Sequence, residues 1–237
     1  MCPHTYLDQG LSIFQARLAD KAATAATRSA ELHAFITLSR EACAGATTLG
    51  QLLLPLLNTE LAAEGQTWML LDKELLNHAL SQHNLPGSLA KFLPEDRVPE
   101  IKGLIGELVG LHPPIWELEQ HVAEAITHIA KLGHVIFVGR AAHLLTRDLA
   151  GGLHVRLVAS METRVRRLMA EQKCDRATAE DVLRSNDNAR RRYVQTNFEQ
   201  DIDDPHTYDL VINTDHFGPA AAARLVVNAL LARLSPA

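Results

Sequence analysis

The chain has 237 residues, enough for one large domain or for a domain with a small lid. Hydrophobic residues make up 47% and charged residues 22%, which excludes a disordered or collagen-like chain, and no apolar run approaches the roughly 20 residues that a membrane span needs. The formal net charge of −5 speaks against a general binder of nucleic-acid polymers, yet 17 of the 23 basic residues are arginine, and eight of these fall between Arg164 and Arg192.

Three scattered cysteines with no CxxC pair, and a polar N-terminus, read as a cytoplasmic protein without disulfides or structural zinc. Residues 1–30 are alanine-rich with a loose helical pattern and read as an N-terminal helical extension that packs on the core or mediates a homodimer. Residues 33–39 predict a first strand, followed by a turn of small residues from Arg40 to Thr48. Leu49, Leu52, Leu53, Leu56 and Leu57 then recur at helical spacing, in a helix that Pro55 is expected to kink or shorten. Residues 67–71 predict a second strand ending at Asp72, and 73–82 a helix. Five prolines break 84–114 into apolar helical pieces, read as an inserted subdomain. Residues 116–132 form an amphipathic helix stopped by Gly133, and 134–138 and 153–159 predict strands three and four. Two arginine-rich helices follow at 161–173 and 178–198, the second capped by Thr178 with Asp181. A fifth strand at 209–213 and a helix at 218–234 close the chain.

Five short apolar strands separated by helices imply an α/β protein with a five-stranded parallel sheet covered on both faces. Ligands of such sheets bind at the carboxyl ends of the strands. There the turn 40–48 has the position of a phosphate-binding loop, with backbone N–H groups and a helix N-terminus facing an anion, and Thr47 and Thr48 offer hydroxyls to a phosphate or a magnesium ion. Aligned on Gly45, the pattern GxxxxGK[ST] finds Arg40 in place of the first glycine and Ala46 in place of the lysine.

Four segments, in this order, resemble the cytidylate kinase-like family of nucleoside monophosphate kinases: residues 36–41 with the turn after them, 71–75, 135–140, and 153–214 with Asp187, Arg190 and Tyr193. The resemblance implies a three-layer P-loop nucleotide kinase-like fold over 31–237, with the acceptor region in the helical insert 84–114 and an arginine-bearing lid at 161–198. It implies ATP and Mg2+ as cofactors and transfer of the γ-phosphoryl to a nucleoside monophosphate. By the same resemblance, Arg40, Cys43, Ala44, Gly45, Ala46, Thr47 and Thr48 line the ATP phosphates, with Thr47 on the metal. Asp72 and Arg140 meet the acceptor, Arg140 through its phosphate. Asp187, Arg190 and Arg191 touch the acceptor's sugar and phosphate, and Arg164 and Arg167 clamp the donor phosphates. Arg140, Arg164, Arg167, Asp187 and Arg190 form the expected catalytic set. Such a set suits phosphoryl transfer, which needs placement and cations around the equatorial oxygens more than covalent chemistry.

Arg184, Asp187 and Arg191 share one helix face and could converge on a ligand, while Asp187 and Arg191 are equally spaced for an intrahelical ion pair. Two departures from the family pattern stand out. Ala46 replaces the lysine, and Val138 replaces the acid that precedes Gly-Arg in cytidylate kinases proper. They keep a second reading open, a non-catalytic nucleotide- or anion-binding module with a degenerate loop. Cys43 reads as a small filler of the turn, and 201–204 as a solvated acidic turn.

Overall fold

A computed structural model of the protein describes residues 33–61, 67–72, 115–139 and 141–234. The expected extension 1–30, helix 73–82 and insert 84–114 lie outside the described residues. Strand β1 (Phe35–Arg40) is buried from Phe35 to Ser39, the pattern of a strand covered on both faces. Helix α1 (Ala46–Glu60), β2 (Met69–Leu71), α2 (Ile115–Leu132), β3 (Val135–Val138) and the four-residue α3 (Ala142–Leu145) follow. The chain continues through β4 (Gly152–Val158), α4 (Met161–Gln172), α5 (Arg176–Phe198), β5 (Leu210–Asn213) and α6 (Pro219–Leu234). The five strands pair in the order β2-β3-β1-β4-β5, every pair parallel. β1 is therefore the central strand, and its carboxyl end is where the connections part to either side.

Side chains alternate across the sheet. Ile36 and Leu38 face α1 and α6, in a core with Leu49, Leu53, Val155, Leu157 and Val226. Phe35 faces α2, packing with Val122, Ile126, Ile129 and Phe137. Helix α1 runs through Pro55 without ending there. Leu49, Leu53 and Leu57 bury one face of it on either side of the proline, and that burial offsets the roughly 3 kcal/mol a proline costs inside a helix. Helix α5 starts two residues before the expected 178. Asp175 is its N-cap, accepting the Thr178 N–H at 2.8 Å, so Thr178 is the capped residue and not the cap. Helices α4 and α5 pack on each other through Val165, Leu168, Ala179 and Leu183, and the same cluster takes in Ala42 of the turn after β1.

Candidate functional site

The turn after β1 passes through Cys43 at φ 58° and Gly45 at φ 95°, the left-handed region that glycine enters without strain. Gly45 is the N-cap of α1 and gives it no side-chain cap. Ala44 N donates to Glu41 O at 3.2 Å and Leu49 N to Gly45 O at 2.9 Å. Among the described residues no acceptor takes the N–H groups of Gly45, Ala46, Thr47 or Thr48. Orphan donors at a helix start, with the helix dipole behind them, attract an anion. Thr47 and Thr48 are exposed beside them, and Ala46 is buried.

A carboxylate anchors the loop from behind. Asp187, from the middle of α5, accepts the Ala42 N–H at 2.7 Å. Its other oxygen pairs with the buried Arg164, whose Nε donates to Ala159 O at 3.0 Å and lies 3.6 Å from Glu41. Arg190, one turn further along α5, reaches Asp187 at 3.3 Å. Arg167 donates to Cys43 O at 3.2 Å, to Thr214 Oγ1 at 3.0 Å and to Thr214 O at 2.9 Å, so it joins the loop to the end of β5. Burial, and then the charge of Glu171, pushes the Cys43 thiol up, which suits a packing residue more than a nucleophile.

Two cavities flank this loop. One is lined by Gly45, Thr48, Leu49, Arg167, Thr214 and Phe217. The other, a narrow cleft, lies over the ends of β1 and β3 and is lined by Ser39, Arg40, Gly139, His143, Arg190 and Tyr193, among others. Gly139 has φ 83°, and a Cβ there would come within 1.9 Å of Arg40 Nη1. Only glycine lets the Arg40 guanidinium lie across the end of β3.

Beneath the second cavity the sheet face is polar. The β1–β4 register pairs Thr37 with His154 and Ser39 with Arg156. Thr37 Oγ1 and His154 Nδ1 are 2.9 Å apart, and Arg156 donates to Ser39 Oγ at 3.1 Å. Tyr208 donates to Ile202 O at 2.9 Å, which leaves Ser39 as the donor in its 3.2 Å contact with Tyr208 Oη. The far end of Arg156 pairs with Asp203, which also receives Arg191 Nε at 2.7 Å. Burial pushes the Asp203 carboxyl up, but the Arg191 hydrogen bond and the Arg156 charge outweigh it and hold the group below its usual range. The expected solvated turn is therefore tied to the sheet at Asp203. None of Ser39, His143, Arg156 and Tyr208 is among the site residues expected from the sequence. The available signal was polar residues at alternate positions of apolar strands, Thr37 with Ser39 and His154 with Arg156.

Of the residues expected to hold the donor phosphates, Cys43, Ala44 and Gly45 lie on the loop, and Ala46, Thr47 and Thr48 form the first turn of α1. Arg40 lines the β1–β3 cleft, and Arg190 stands on the same cleft. Arg164 and Asp187 are buried against the back of the loop. Arg184 pairs with Glu180 and Arg191 with Asp203, so neither converges with Asp187 on one point. Asp72 follows β2, which β3 separates from β1, and Arg140 lies outside the described residues. Among the described residues no helix is long and apolar enough to cross a membrane, and no three His, Cys, Asp or Glu side chains gather as metal ligands.

A parallel sheet with a glycine-capped helix start at its central strand, and arginines around it, defines an α/β protein whose central strand ends at a loop of orphan N–H donors. The chain belongs to the cytidylate kinase-like family, whose model matches residues 35–216. No curated protein matches it in sequence. An uncharacterized protein from Eubacterium ventriosum superposes with a TM-score of 0.62 at 18% identity, covering 83% of this chain and 98% of that one, and so shares the fold. Shikimate kinase from Bacteroides thetaiotaomicron gives a TM-score of 0.46 at 16% identity over 84% and 98% of the two chains. The APS kinase CysC of Mycobacterium tuberculosis gives 0.46 at 16% over 84% and 97%.

Proposed function

We propose that the protein is a nucleotide phosphotransferase that takes the γ-phosphoryl of ATP at the loop 43–48 and passes it to a nucleoside monophosphate in the β1–β3 cleft. The observation that carries this reading is the set of unpaired N–H groups from Gly45 to Thr48, next to a cleft that holds Arg40 and Arg190. The donor phosphates lie on the amides, with the nucleoside in the cavity by Arg167 and Phe217. Arg190 and Arg40 hold the acceptor phosphate, with Arg140 and Asp72 as further acceptor contacts. Arg164, with Asp187, keeps the loop in shape. Magnesium would enter as part of the donor: the exposed Thr47 hydroxyl would supply one ligand, and phosphate oxygens and water the rest. The cation that Ala46 does not provide comes from Arg190, which lines the cleft and pairs with the Asp187 that anchors the loop.

A second reading, a binding module without turnover, draws support from Ala46 and from the Ala42 N–H already being taken by Asp187. ADP release with CMP, dCMP, UMP and AMP as acceptors separates the two. Turnover that falls at least 100-fold in Arg190→Ala supports the transferase, a loss in keeping with removal of one preorganised charge donor. No turnover, with ATP still raising the melting temperature, supports the binding module.

A further inference from the structure

The inner wall of the β1–β3 cleft carries a group that the reading above does not use. His143, in α3, is 3% exposed and lines the cleft, yet its Nε2 has no hydrogen-bond partner among the described residues. Buried polar atoms are nearly always paired, so an unpaired one in a residue that lines a cleft makes the cleft the place to seek its partner. The ring is held in one orientation. It stacks on Tyr208 with centroids 4.6 Å apart and planes at 25°. Tyr208 is fixed in turn by its bond to Ile202 O and by Ser39, with the Arg156 guanidinium 5.6 Å from its ring centroid. Burial first, then His154 and Arg156, brings the His143 pKa down to about 3, so the imidazole is neutral. It therefore adds no cation to Arg40 and Arg190, and what it meets is the uncharged part of whatever those arginines hold.

We propose that His143 is the specificity-determining residue of this cleft, its Nε2 making one hydrogen bond to an uncharged polar atom, on the sugar or the base, of an acceptor phosphate ester. This rests on the transferase reading, because it takes the cleft as the acceptor site.

Isothermal titration of the full chain with CMP, 2′-deoxy-CMP, UMP, AMP and inorganic phosphate tests it in the wild type, His143→Phe and His143→Gln. The expected result is a loss of about tenfold or more in His143→Phe for the best-bound mononucleotide, with phosphate binding unchanged, and recovery of most of that loss in His143→Gln. Loss of the preference between CMP and its deoxy form assigns the bond to the sugar, and loss of base preference assigns it to the base. Should the phenyl ring disturb the fold, His143→Asn, which places no polar atom at the Nε2 position, is expected to lose the same tenfold. Wild-type affinity in these variants overturns the inference and leaves the transferase reading standing. So does an equal loss for inorganic phosphate. A wild type that binds none of the four mononucleotides overturns the acceptor reading, and this inference with it.

Discussion

Asp187 concentrates three interactions on one buried carboxylate: the Ala42 N–H of the loop, the Arg164 guanidinium and the Arg190 guanidinium. A buried charge is tolerated only when it is compensated, so none of the three can be removed cheaply. The arrangement also spans chemistry and structure, because Arg164 points into the core while Arg190 lines the cleft. Asp187→Asn keeps the shape but leaves two guanidiniums facing a neutral amide. Breaking a buried pair in this way costs about 3–5 kcal/mol, which in a domain of this size lowers Tm by roughly 6–20 °C. Arg191→Ala removes only the outer, exposed contacts to Asp203 and Asn188 and is expected to cost about 1 kcal/mol or less. Thermal unfolding followed by circular dichroism compares them. Equal melting temperatures for the wild type and Asp187→Asn would show that the carboxylate does not hold the loop.

Among the elements, α5 shows how local signals and distant contacts divide the information. Its start is set by Asp175, whose carboxylate is held below the usual range by the Thr178 N–H it accepts. Asp175→Ala is expected to lower Tm by less than Asp187→Asn does, with ATP binding unaltered because the exposed cap bonds the start of α5 and none of the loop's N–H groups. A melting curve and an ATP titration of the same sample check both halves. The strands were legible because each is a short apolar run between turn residues, and their ends fell within two residues of those observed. The loop was legible for a similar reason: small residues around Gly45 allow the positive φ that the turn needs. What the sequence could not display was pairing at long range. Ala42 and Asp187 are 145 residues apart, and nothing local to either says that they meet. Arg156 sat unnoticed inside an apolar run. Its role depends on β4 lying beside β1 in the register that sets it against Ser39. Arg184 and Arg191 were misleading in the opposite sense. They share a face with Asp187, but acidic partners nearer to each, Glu180 and Asp203, take them first.

For the molecule as a whole, one side of the sheet is an apolar core and part of the other is a buried polar ladder from Thr37 to Asp203. That asymmetry gives the protein a weakness to acid. In the unfolded chain His143 titrates near 6.5, and in the folded chain near 3, because burial and the neighbouring His154 and Arg156 oppose a charge there. Between those values the unfolded chain binds a proton that the folded chain refuses. The contribution of His143 to stability is thus complete above pH 6.5 and is lost progressively as pH falls towards 3. At pH 4.5, two units into that window, the loss amounts to about 2.7 kcal/mol at 1.36 kcal/mol per unit. His154, lowered by burial against the opposing pull of Asp209, adds in the same direction. The carboxylates held low, Asp203 among them, give up their share only at still lower pH. Urea denaturation at pH 7.5 and 4.5 should therefore show a wild type that loses several kcal/mol on acidification, and a His143→Phe variant that loses roughly 2–3 kcal/mol less over the same step. An equal acid loss in the two proteins would mean that the ring takes up its proton without leaving its place. The neutral imidazole on which the recognition of the acceptor depends would then be absent at low pH and would have to be sought elsewhere in the cleft.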